Sequence, residues 1–147
     1  MFPVNRLLHS VTPIRIKSGR SIVSTATGFF FFRDKRFYLV TNRHVVINEQ
    51  EHFYPDALII QVHDSDDLFR VHDIEINLYR DDKQLWIEHP KIFDSNTQAF
   101  SNNKVDVIIL EVDITRVSGA RFVYSTEKDF ISLCLKSLLS KIFIPHR

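Results

Sequence analysis

His44 and Asp106 are the residues of this chain whose types and settings are best suited to chemistry. An imidazole takes up and returns a proton near neutral pH, so it acts as a base once it is held in a fixed position. His44 lies in Thr41-Asn42-Arg43-His44-Val45-Val46, directly after the apolar stretch Tyr38-Leu39-Val40. A buried strand that ends at Val40-Thr41 and turns at once anchors the ring at a rim, and the polar Asn42-Arg43 turn keeps it partly exposed. Asp106 precedes Val107-Ile108-Ile109-Leu110, a nearly continuous apolar run. Its carboxylate then belongs at the mouth of a buried strand, where it can accept an imidazole N–H, hold one tautomer and stabilise the charged ring.

The elements that must position these two residues are short, β-branched and aromatic runs separated by polar breaks. Strands are expected at 11–17, 22–32, 37–40, 57–63, 69–79, 85–88 and 105–112. Ser18-Gly19-Arg20-Ser21 and Arg33-Asp34-Lys35-Arg36 read as hairpin turns. Polar loops fall at 48–56, 64–67, 81–84 and 94–104. About seven strands with almost no helical pattern before residue 126 describe an all-β antiparallel barrel or sandwich rather than an α/β fold. From 128 to about 140 the apolar pairs Phe130-Ile131, Cys134-Leu135 and Leu138-Leu139 recur every four residues, which predicts a short helical stripe; the last residues are open between helix, strand and irregular chain. The chain divides into 1–125, the β domain, and 126–147, an amphipathic tail or the start of a further barrel.

Two segments in this order resemble the trypsin-like serine proteases, in particular the disulfide-free bacterial and HtrA-like members. One is Thr27-Gly28-Phe29-Phe30, a turn, and then Tyr38-Leu39-Val40-Thr41-Asn42-Arg43-His44-Val45-Val46. The other is Lys104-Val105-Asp106-Val107-Ile108-Ile109-Leu110. Ala26 and Ile108 stand where many relatives carry glycine and alanine, which are changes of packing. The resemblance covers residues 11 to about 113. It implies the first barrel of a chymotrypsin-like fold, six- to seven-stranded and closed or nearly closed, with His44 as catalytic base and Asp106 as its orienting acid. In a complete homologue it implies a protein or peptide substrate and no cofactor.

The third member of the triad does not follow. In the family the serine lies about 90 residues past the aspartate, in a second barrel, whereas 41 residues follow Asp106 here. Among Ser118, Ser125, Ser132, Ser137 and Ser140, only Ser118 has a glycine neighbour, Gly119, and it lacks the preceding Gly-x that shapes an oxyanion turn. Cys134 sits within the apolar stripe, without flanking glycine. The expectation is a serine endopeptidase homologue that is truncated and inactive as this chain. The alternative is a non-catalytic barrel remnant that acts as a protein-binding module.

Other candidate sites dissolve on inspection. His52, His63, His72 and His89 fit no zinc spacing and have no accompanying cysteines, so no metal is expected. Asp64-Ser65-Asp66-Asp67 lacks the glycine and the distant glutamate of a calcium loop. Phe29-Phe30-Phe31-Phe32 reads as core with one outward face.

Composition bounds the rest. The 147 residues are 44% apolar and 25% charged, with 19 basic and 18 acidic side chains for a net charge of +1. That is a globular profile with neither a nucleic-acid footprint nor a membrane-surface one. A single cysteine excludes an intrachain disulfide. Met1 to Ser10 has no apolar leader core, and no run reaches the roughly 18 residues of a membrane span. A cytoplasmic location follows as an expectation. Oligomeric state is not legible.

Overall fold

The computed structural model describes residues 10–63, 71–101 and 105–113. The expected tail at 126–147, with Ser118 and Cys134, lies outside the described residues. Strand β1 spans Val11–Ser18 and β2 spans Ser21–Arg33. Gly19 takes φ +58° in the turn between them, a conformation that glycine adopts without a Cβ penalty. The pairing runs from Val11 opposite Phe29 to Ser18 opposite Ser21, with a register shift between Ile16 and Lys17. Strand β3, Arg36–Thr41, follows a two-residue turn in which Asp34 and Lys35 both have positive φ. Such turns match the right-handed twist of the strands they join.

Strands β4 (Ala57–His63) and β5 (Val71–Asn77) extend the sheet on the far side of β1. A small hairpin, β6 (Tyr79–Arg80) and β7 (Lys83–Gln84), precedes β8 (Trp86–Glu88); a second one, β9 (Ile92–Asp94) and β10 (Ala99–Ser101), precedes β11 (Ile108–Glu111). The main sheet has seven antiparallel strands in the order β5-β4-β1-β2-β3-β11-β8. All seven expected strands are present, whereas both small hairpins escaped the sequence pattern.

The expected barrel closure requires correction. Among the described residues the ladder is open, with β5 and β8 as its edges. The physical reason lies at the neck of the first small hairpin. Leu85 N–H donates to Leu78 O at 2.9 Å, so the chain leaves the sheet after Leu78 and returns at Leu85. Strands β5 and β8 therefore follow one another along the chain path on either side of this neck. Each pairs outward, β5 with β4 and β8 with β11, rather than with the other.

One face of every strand feeds a common core. Ile14 and Ile16 of β1, Phe30 of β2, Leu39 of β3, Leu58 and Ile60 of β4, Ile74 of β5, Trp86 of β8 and Ile108 and Leu110 of β11 belong to one buried cluster. Because both edge strands contribute to it, the sheet curls around its own apolar face. The period-2 alternation of side chains accounts for this selection. The central strands are buried on their other face as well, where Phe31, Tyr38, Val40 and Ile109 form a second cluster. The phenylalanine run is thus core on both sides: Phe30 and Phe31 are both buried, and the expected outward face is absent at Phe31.

Gly28 sits where the backbone leaves no room for a side chain. A Cβ there would lie 2.8 Å from Leu39 Cδ1, 2.9 Å from Ile14 Cδ1 and 3.0 Å from Val40 O. Among the described residues, no helix is long and apolar enough to cross a membrane.

Candidate active site

Strand β3 delivers His44. It ends at Thr41, whose hydroxyl donates to Thr27 O at 3.0 Å and ties the strand end to β2. Asn42 is extended, and Arg43–Val45 form a single 3₁₀ turn closed by Val45 N–H on Asn42 O and Val46 N–H on Arg43 O. Val45 and Val46 are buried in the main core and hold the turn down on one side. The His44 side chain, 61% exposed, stands on the other. Apolar residues directly after the histidine thus act as its anchor.

Strand β11 delivers Asp106. Ile108 pairs with Thr41, so the residues just before β11 lie beside those just after β3. The structure brings the two sequence-predicted residues into direct contact. His44 Nδ1 is 2.6 Å from Asp106 Oδ2, and the His44 backbone N–H donates to Oδ1 at 2.9 Å. The Asn42 side-chain amide donates to Asp106 O at 3.1 Å and to Oδ2 at 3.2 Å. An ionised carboxylate only accepts, so the contact places the ring proton on Nδ1 and leaves the Nε2 lone pair available for a substrate proton. No serine or cysteine side chain among the described residues bonds to Nε2.

Beside the pair, Arg43 is buried while Asn42 and His44 on either side of it are exposed. Its Nη1 and Nη2 donate to the Glu49 carboxylate at 2.9 and 2.6 Å, and its Nε donates to Glu88 Oε2 at 2.9 Å. Trp86 Nε1–H donates to the same Glu88 oxygen at 3.2 Å. The hydrogen bonds to Glu49 hold the guanidinium above its ordinary range despite burial, and those from Arg43 lower the Glu49 carboxyl to about 2. Sequence reasoning missed Glu49 and Glu88. The one local signal was an arginine wedged between a buried strand and the Val45-Val46 anchor; its carboxylate on β8 is 45 residues away.

A cavity of about 300 Å³ borders the pair, lined by Arg43, His44, Ile47, Asn48, Glu49, Gln50 and Asp106. A larger one, about 580 Å³, opens at the end of β3 away from His44, with Phe37, Ile74, Ile76 and Leu110 in its wall. The other described histidines are dispersed: His63 on β4, His72 on β5, His52 in a loop, and His89 with Nδ1 on Pro90 O. Among the described residues, no three His, Cys, Asp or Glu side chains are grouped to hold a metal. Comparison with protein-family models, with curated proteins and with solved structures gave no match.

Proposed function

We propose that this chain is the base-and-acid half of a trypsin-like serine endopeptidase. The two-point grip of Asp106 on His44, at the ring and at the backbone N–H, carries this reading. It is the arrangement that proton transfer needs: a base with a fixed tautomer, its free nitrogen accessible, and a carboxylate to offset the charge it gains. The core shared by all seven strands of the open sheet supports this reading, because it holds the ends of β3 and β11, and so the two residues, side by side.

In a complete enzyme, a serine Oγ–H would give its proton to His44 Nε2 as Oγ attacks the scissile carbonyl of a protein or peptide. Asp106 would stabilise the resulting imidazolium, and the same proton would pass to the leaving amine. The described residues contribute the proton-transfer parts, and acyl-enzyme formation needs a nucleophile and oxyanion donors beside them.

The test is labelling with a fluorophosphonate probe. The chain alone is expected to remain unlabelled, and labelling that Ser118→Ala removes would show a nucleophile within it. Translation beyond the Arg147 codon in all three frames is expected to give a Gly-x-Ser-Gly segment. A protein extended through that segment should label in a His44-dependent manner. Absence of the segment in every frame would favour a non-catalytic protein-binding module.

A further inference from the structure

Arg43 occupies the position between the two residues that hold Asp106, yet its own side chain turns the other way, into the protein. All three of its guanidinium nitrogens are engaged, two on Glu49 and one on Glu88. Both partners matter geometrically. Glu49 lies beyond the turn, so its fork closes the segment 43–49 on itself. Glu88 is the register partner of Ile108, two residues from Asp106, and it also holds the Trp86 indole. The clamp therefore ties the turn carrying the imidazole to the same end of the β11–β8 ladder that carries the carboxylate. Asn42 and the His44 N–H bind Asp106 from the turn, and Arg43 binds that turn to the sheet.

We propose that Arg43 is a positioning residue for the His44–Asp106 pair. Its fork fixes the 3₁₀ turn so that Nδ1 remains on the carboxylate. The proposal rests on the reading of His44 as a base. A planar guanidinium engages two carboxylates in fixed directions, which an ammonium of equal charge does not. Lysine at this position would keep the charge and lose the geometry. The sequence alone hides this role, because an arginine in a polar turn reads as a solvated side chain.

The experiment follows the His44 Nδ1–H proton by NMR in the intact chain, measuring its exchange with water beside the thermal midpoint. In the parent protein the proton is expected to be hydrogen-bonded and slow to exchange, and Asp106→Asn should abolish it. Arg43→Lys should leave the sheet amide pattern intact and accelerate Nδ1–H exchange about tenfold, the effect of losing one charge-assisted hydrogen bond. Glu49→Gln should act in the same direction. If Arg43→Lys does not fold, Glu49→Gln decides alone. Exchange unchanged in the variants that fold, with only the midpoint lowered, would overturn the proposal and leave Arg43 a stabilising ion pair. A ring unaffected by Asp106→Asn would instead overturn the base-and-acid reading, and this proposal with it.

Discussion

Asp106 meets His44 twice, with Oδ2 2.6 Å from the ring Nδ1 and Oδ1 accepting from the backbone N–H of the same residue at 2.9 Å. A carboxylate so engaged cannot rotate without losing one contact. The imidazole in turn cannot swing away without leaving Oδ2 only the longer bond from the Asn42 amide, at 3.2 Å.

Asp106→Asn should therefore invert the ring tautomer. If the asparagine oxygen keeps the backbone N–H, its NH₂ faces Nδ1, which must then accept, and the ring proton moves to Nε2. In chymotrypsin-type enzymes the equivalent change loses activity for that reason. Long-range nitrogen–proton NMR near pH 8.5, above the ordinary imidazole range, distinguishes the two tautomers. An unchanged Nδ1–H form would mean that Asp106 does not set it.

Acid should weaken the fold in part through Glu49. Its carboxyl is lowered from 4.5 to about 2 by Arg43, so the unfolded chain binds the proton more readily. The stabilisation is present above about pH 4.5 and is lost as pH falls towards about 2. Glu49 is 46% exposed, and screening by water limits the effect to about 1 kcal/mol. Urea unfolding at pH 6 and pH 2.5 should show a smaller acid loss in Glu49→Gln than in the parent. Equal losses would place the acid sensitivity elsewhere.

Gly28→Ala should destabilise the sheet by about 1–3 kcal/mol, the range for overpacking a filled core. The new methyl meets Leu39 and Ile14 side chains and the Val40 carbonyl oxygen, and the last of these is backbone that cannot rotate aside. A chemical denaturation midpoint equal to that of the parent would show that the neighbours relax freely.

Lys35→Gly should stabilise the β2–β3 hairpin. Lys35 has φ +63° after Asp34 at +51°, and Asp-Gly is a preferred pair for this turn. Relief of a left-handed residue contributes on the order of 1 kcal/mol, reduced by the extra freedom of glycine in the unfolded chain. A higher thermal midpoint is expected; a lower one would mean that the Lys35 side chain holds the hairpin more strongly than its backbone strains it.

The local features of this chain were legible in its residues. Short β-branched and aromatic runs between polar breaks marked all seven strands of the main sheet, since strand propensity and turn chemistry act within a few residues. Gly19 and the Asp34-Lys35 pair marked turns, since backbone sterics act within a few residues. The contexts of His44 and Asp106, each at the border of an apolar run, marked strand ends. Only the tertiary structure decided what depends on distant pairing. Strand order, the open ladder interrupted at Leu78 and Leu85, and the second buried face at Phe31 and Ile109 arise from contacts between segments far apart in the chain. The Arg43 clamp is the clearest instance. A buried guanidinium is tolerable only with carboxylates around it, and Glu88 reaches it because β11 pairs with both β3 and β8. No periodicity or spacing in the sequence encodes that meeting, because it is made by the sheet.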